Sequence, residues 1–325
     1  MTRLAAVSIA LFALTACALD ESDQDDDTTT VDDGVAVAPS VIKHVFVIAF
    51  ENHAASSIYG NQDHAPFIQS LLQQGGRASN FVDKLPSSPS EPHYVWMEAG
   101  TNSFSDRTFT GDGDPTSSNS TSSTAHLTRQ INDAGKSWTS YQEGLNSTTG
   151  ACPINSDGNY GAKHDPMVFF KDIVGSTPSK TNALCVAHHK ALTALATDLA
   201  NDTVADYNFI TPSLCHDMHS NFCSGFFDPV KQGDDWLSQN LQPILDYANA
   251  HSGAVFLVWD EPEGSSGTIP LIVLGPHVTQ HHISTFKYSH SSLVKTVELI
   301  LQLPLLPTVS HSNSFRPFFE TGFYP

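Results

Sequence analysis

Cationic side chains are scarce in this chain: 15 Lys and Arg stand against 34 Asp and Glu, a formal net charge of −19. So acidic a chain is a poor partner for nucleic acid, whose phosphates are bound by clustered Lys and Arg. Cysteine is also sparse, five in 325 residues, and no two stand in a Cys-x-x-Cys spacing. That argues against cysteine-ligated zinc. The apolar run over residues 4–16 is too short for a membrane span, which takes about 20 residues. No motif recurs at a fixed period, and no linker-like stretch divides the chain beyond its N-terminal region.

What is present begins with an export signal. Arg3 precedes the apolar run, and Leu14-Thr15-Ala16-Cys17 resembles the lipobox of bacterial lipoproteins. The resemblance implies a signal peptide over residues 1–16, cleavage before Cys17 and lipidation of its thiol. An ordinary secretory signal is the competing reading, and both export the protein. Ala18 is not the aspartate that often retains lipoproteins at the inner membrane. The expected place is therefore the bacterial envelope, at the outer membrane or cell surface, with the membrane met through the lipid anchor only. Residues 20–33 carry eight acidic residues, three consecutive threonines and almost nothing apolar. Such a segment cannot offset its ordering entropy, so residues 17–37 read as a disordered tether. One domain over 38–325 follows, with 26 acidic against 14 basic residues.

Four further cysteines, Cys152, Cys185, Cys215 and Cys223, are an even number in an exported chain and read as two disulfides. Three connectivities are open. Cys152–Cys185 with Cys215–Cys223 is preferred, because it closes nearby segments.

Strand-like and helix-like runs alternate along the domain. Residues 41–50 are almost continuously apolar, as in a strand buried on both faces of a parallel sheet. Runs at 137–141, 206–211, 254–259 and 269–274, and a short one at 81–82, read as further strands. Residues 65–74, 190–199, 236–250 and 293–301 read as helices. Residues 101–124, rich in Ser, Thr, Gly and Asp, read as a long surface excursion. The alternation predicts an α/β fold: a three-layer α/β/α sandwich on a mostly parallel sheet, with ligands outside the carboxyl ends of the strands.

Chemistry-bearing residues fall at those ends. Ser90 opens a helix-compatible run with Pro92 in its first turn. Proline suits that turn, and the turn's free N–H groups favour an anion. A plain N-cap serine is the competing reading. Glu51-Asn52 follows one strand run and Asp260-Glu261 another. Oxygen donors converging from two strand ends suit a hard or borderline divalent cation. Among sixteen histidines, His164, His219 (beside Asp217) and His290 stand in contexts that suit a site.

In order, Phe50-Glu51-Asn52-His53, Pro89-Ser90-Glu91-Pro92-His93-Tyr94, Lys163-His164-Asp165-Pro166, His216-Asp217-Met218-His219, Trp259-Asp260-Glu261 and Tyr288-Ser289-His290 resemble the phosphoesterase family. That family includes acid phosphatases and bacterial phospholipases C, and belongs to the alkaline-phosphatase-like superfamily. The resemblance implies metal ligands at Glu51, Asn52, Ser90, Asp260 and Glu261, with Ser90 as nucleophile. It places His93, His164, Asp217, His219 and His290 on the substrate. His93 is a departure, since the family usually has asparagine there. Superfamily sulfatases need an arginine two residues after the proline, where this chain has Tyr94. The compact length favours the acid-phosphatase-like branch. The expected reaction is metal-dependent hydrolysis of phosphomonoesters, small molecules or lipid headgroups, through a Ser90 phosphoserine. Phosphodiester or phospholipase C activity is the first alternative, and a non-catalytic surface lipoprotein that binds a phosphorylated ligand is another.

Overall fold

Burial and strand register together explain how this chain builds its layers. The computed structural model describes residues 40–145, 150–219, 223, 228–262, 264 and 267–325. The signal segment, Cys17 and the acidic tether lie outside the described residues. The strands are β1 (His44–Phe50), β2 (Gly76–Ala78), β3 (Trp138–Gln142), β4 (His189–Ala191), β5 (Tyr207–Thr211), β6 (Gly253–Trp259), β7 (Leu271–Leu274) and β8 (Ile283–Ser284). They form one eight-stranded sheet in the order β4-β3-β5-β1-β6-β7-β2-β8. β7 pairs antiparallel with both β6 and β2, while the other pairs are parallel. β1, β5 and β6 are the central, buried strands.

Paired residues in a parallel sheet share a face. Val47 pairs with Phe209 on one side and Phe256 on the other. Phe209 meets Tyr94 of the Ser90–Ala99 helix, and Phe256 meets Phe315. The alternate residues Phe46 and Phe50 meet Tyr247 and Trp236 of the Pro229–His251 helix. The two helices therefore cover opposite faces, which makes the α/β/α sandwich. Gly100 ends the Ser90–Ala99 helix at φ +66°, and a Cβ there would lie 2.2 Å from Val309. Glycine meets both demands. No helix among the described residues is long and apolar enough to cross a membrane.

Several elements differ from the sequence reading. Residues 190–199 are not one helix: Lys190 lies in β4, a 3₁₀ turn spans Leu192–Ala194, and only Leu195–Ala200 is α-helical. Pairing of Tyr141 with Lys190 recruits the first residues into the sheet, an override of local propensity by tertiary contact. The run 269–274 narrows to β7 and runs antiparallel. Residues 101–124 carry no helix or strand, yet they are no loose excursion. Phe109 and Thr121 are fully buried, and the Thr121 N–H donates to the Phe169 carbonyl.

Candidate active site

β1 and β6 are hydrogen-bonded neighbours, with Phe50 opposite Trp259. Their next residues, Glu51 and Asp260, are thus delivered side by side at the carboxyl edge of the sheet. The Asp260 N–H donates to the Phe50 carbonyl at 2.9 Å, and the Glu51 N–H to the Asp217 carbonyl at 2.7 Å. The second bond brings the segment after β5 against the same spot. Asn52 then turns at φ +50°, a left-handed conformation that asparagine tolerates. Its N–H donates to Asp260 Oδ1 at 2.9 Å, as does the Glu261 N–H at 2.6 Å.

Ser90 is the first residue of its helix and not the cap; Pro89 holds the cap position, without a side-chain bond. The Ser90 hydroxyl donates instead to Glu51 Oε2 at 2.8 Å, and both residues are buried. His164, from the 3₁₀ turn Ala162–His164, places Nε2 3.2 Å from Glu51 Oε1 and Nδ1 3.5 Å from Asp217 Oδ2. Its ring stacks on Tyr94. Burial holds the His164 imidazole down at about 4, so it is neutral at physiological pH.

Four acids crowd this edge: Glu51, Asp217 and Asp260 are fully buried and Glu261 nearly so. Burial, then the charge of Glu51, pushes the carboxyls of Asp217 and Asp260 well up. Burial raises Glu261 to about 7. Burial alone would raise Glu51 too, but His164, Lys163 and the Ser90 hydroxyl hold it below its ordinary value. Glu51 Oε1, Asp217 Oδ2 and Asp260 Oδ2 are buried without a hydrogen-bond partner. Buried polar atoms are ordinarily satisfied. Orphaned carboxyl oxygens in such density fit a bound divalent cation.

The remaining expected residues divide. His93 is buried, with ring nitrogens 2.9 Å from the Pro89 carbonyl and 3.0 Å from Asp83 Oδ1. Burial opposes its charge, but the Asp83 carboxylate prevails and raises the imidazole. His93, Asp260 and Glu261 each offer a ligand atom within 4.8 Å of the others, so His93 stands with two expected metal ligands. His290 opens the His290–Ile300 helix and its Nε2 donates to the Trp259 carbonyl at 2.9 Å. That bond ties the helix to the end of β6. His219 is exposed and lines, with Asn52, His53, Ser57, Asn61 and His64, a cavity of about 520 Å³.

The structure joins Cys152 to Cys185 and Cys215 to Cys223, with Cα atoms 5.3 and 5.5 Å apart. The second bridge closes the segment that carries Asp217. Two contributors escaped the sequence reading. Asp83 orients His93. Asp112, from the 101–124 segment, accepts the Glu91 N–H at 3.0 Å on Oδ1 and the Lys163 ammonium at 2.6 Å on Oδ2. An aspartate in the run Gly111-Asp112-Gly113-Asp114 looks like solvated loop, and only the fold sets it against the helix.

The chain is similar in sequence and in fold to several known proteins. The chain is 28% identical over 271 residues to a phosphatidylinositol-3-phosphatase of Mycobacterium tuberculosis, covering 83% of this chain and 80% of that one. It is 25% identical over 282 residues to a probable acid phosphatase of Kluyveromyces lactis, covering 83% of this chain but 61% of that longer one. Among solved structures, a phosphonate monoester hydrolase from Silicibacter pomeroyi matches with TM-score 0.53 at 13% identity, over 87% of this chain and 77% of that one. Murine ectonucleotide pyrophosphatase/phosphodiesterase 5 matches with TM-score 0.55 at 9% identity, over 86% of this chain and all of that one. These two show the fold, which is alkaline-phosphatase-like. The phosphoesterase family model spans residues 62–304, from beyond Asn52 to beyond His290. With most of the domain inside that match, and acid phosphatases among its relatives, the chain belongs to the phosphoesterase family and is a phosphoric ester hydrolase.

Proposed function

We propose that this hydrolase is a metal-dependent phosphomonoesterase with Ser90 as its nucleophile. One observation carries the reading: the Ser90 hydroxyl donates to Glu51 inside a cluster of buried acids with three orphaned oxygens. A divalent cation would be held by Glu51, Asn52, Ser90, Asp260 and Glu261. When bound, it supplies Lewis-acid stabilisation of charge on the phosphoryl group. The side chains do the rest. Glu51 Oε2 accepts the Ser90 proton as Oγ bonds to phosphorus and the bond to the leaving oxygen breaks, that oxygen departing as the alcohol with a proton from water. Water then splits the phosphoserine and Ser90 regains its proton. His164, held neutral beside Glu51 and Asp217, keeps Glu51 oriented.

The name of the mycobacterial relative makes a phosphorylated inositol lipid headgroup a candidate substrate. The polar cavity beside Asn52 supports a hydroxyl-bearing leaving group. The export signal supports lipid anchorage through Cys17 at the cell envelope.

The test is turnover of p-nitrophenyl phosphate by the purified domain, with and without a chelator, beside Ser90→Ala. Chelation and the substitution should each remove nearly all activity, and acid quenching should trap phosphate on Ser90. More than about a tenth of wild-type activity in Ser90→Ala would be a smaller loss than that of even one oxyanion donor, about 10²–10³-fold; Ser90 would not be the nucleophile, and the reading would fail.

A further inference from the structure

We propose that Lys163 binds a non-bridging phosphoryl oxygen of the substrate, that Asp112 positions it, and that the pair sets a preference for dianionic monoesters over monoanionic diesters. The inference rests on the reading of Ser90 as nucleophile.

Three observations lead to it. Lys163 is adjacent in sequence to His164, whose ring lies 3.2 Å from Glu51, so the short 3₁₀ turn that delivers His164 also brings an ammonium to the mouth of the site. Lys163 Nζ donates to Asp112 Oδ2 at 2.6 Å, and Asp112 Oδ1 accepts the N–H of Glu91 at 3.0 Å. One carboxylate therefore bridges the ammonium to the backbone amide that directly follows the nucleophile. The Lys163 side chain is about three-quarters buried, and besides Asp112 its charge is drawn to Glu51 and Asp260.

The chemistry follows from the donor count. An ammonium has three N–H donors and no acceptor, and Asp112 takes one of them. The others are available to an oxygen held beside Ser90. Asp112 fixes the direction of the flexible lysine stem, whose four-carbon chain has no geometry of its own. His93 is paired with Asp83, and histidine charge varies with pH whereas a lysine ammonium stays charged across the physiological range. A monoester dianion carries one more negative charge than a diester, so a fixed cation favours the monoester.

The experiment compares p-nitrophenyl phosphate with bis(p-nitrophenyl) phosphate in wild type, Lys163→Met, Lys163→Arg and Asp112→Asn, all loaded with the same divalent cation. Loss of a donor to developing charge costs about 10²–10³-fold. Lys163→Met should lower monoester kcat/KM by about 10²-fold and diester kcat/KM by less than about 10-fold. Lys163→Arg should recover most of the monoester loss, and inorganic phosphate should inhibit Lys163→Met more weakly. Asp112→Asn retains the acceptor for the Glu91 amide but loses its charge. It should lower the monoester-to-diester ratio in the same direction, chiefly through a higher monoester KM.

An equal loss on both substrates, or no loss on either, overturns the proposal. Should Lys163→Met not fold, Asp112→Asn carries the comparison, and an unchanged ratio there overturns it equally. Wild-type turnover and its loss in Ser90→Ala are measured alongside. If those hold while the ratios stay fixed, the Lys163 assignment alone fails; if they do not, the reading of the site fails first.

Discussion

Replacing Asp260 by asparagine should stabilise the metal-free protein and destabilise the metal-loaded one. Asp260 Oδ1 accepts two backbone N–H groups, from Asn52 and Glu261, while Oδ2 has no partner. Burial first, then Glu51 and Glu261, raises its carboxyl well above the ordinary value. A raised carboxyl costs stability above its unfolded-state pKa and costs nothing below it. At pH 7 that cost is bounded above at about 4 kcal/mol, the span from an ordinary carboxyl near 3.9 to pH 7 at 1.36 kcal/mol per unit. Asparagine keeps the Oδ1 acceptor and removes that cost, but its new amide N–H₂ is buried in the place of Oδ2 and costs about 1–3 kcal/mol. The net gain is at most about 1–3 kcal/mol, or roughly 2–5 °C in Tm for a domain of this size. Near pH 4 the carboxyl cost fades, the amide cost remains, and the variant should melt at or below wild type. A cation at 100 times its Kd adds about 2.7 kcal/mol to wild type, and less to a variant that has lost an anionic ligand, so the order of Tm values inverts. Differential scanning calorimetry in chelator and in excess divalent cation, at both pH values, reads all four conditions. A variant that melts no higher than wild type in chelator at pH 7 would refute the account of a carboxyl crowded by its neighbours.

His126 is buried between Glu98 and Asp172, with ring nitrogens 3.0 and 3.1 Å from their oxygens. Burial opposes its charge, but the two acids prevail and raise its pKa, while the pairing lowers that of Asp172. The His126 contribution is therefore full below about 6.5 and lost as pH rises through the raised value. The Asp172 contribution is present above about 3.9 and lost as pH falls through the lowered one. Urea unfolding should show His126→Gln losing about 3–5 kcal/mol inside that window, and a loss that does not diminish at high pH would contradict the ion pairing. Replacing Cys215 and Cys223 together by serine should cost no more than about 2–3 kcal/mol of stability but lower kcat/KM at least tenfold, because the bridge closes the segment holding Asp217. Full activity with reduced Tm would give the bridge a purely structural role.

The sequence by itself determined the carboxyl ends of the two central strands β1 and β6 and what stands on them. Residues 41–50 and 254–259 are almost continuously apolar, as in strands buried on both faces, and the first polar residue after each, Glu51 and Asp260, then falls at the sheet edge. Ser90 before Pro92 was legible for a similarly local reason: proline is best tolerated in the first turn of a helix. The two- and three-residue strands β2, β4 and β8 carry no such signal, because a few backbone bonds to a neighbour make them strands. Tertiary structure alone decided which distant groups meet. Asp83 reaches His93 and His126 sits between two acids because sheet order and helix packing bring those segments together. Asp112 bridges Lys163 to the nucleophile's helix because a polar segment with one buried Phe109 folds back over it. Such contacts are set by where a chain returns, and neither the period nor the composition of the returning segment encodes that position.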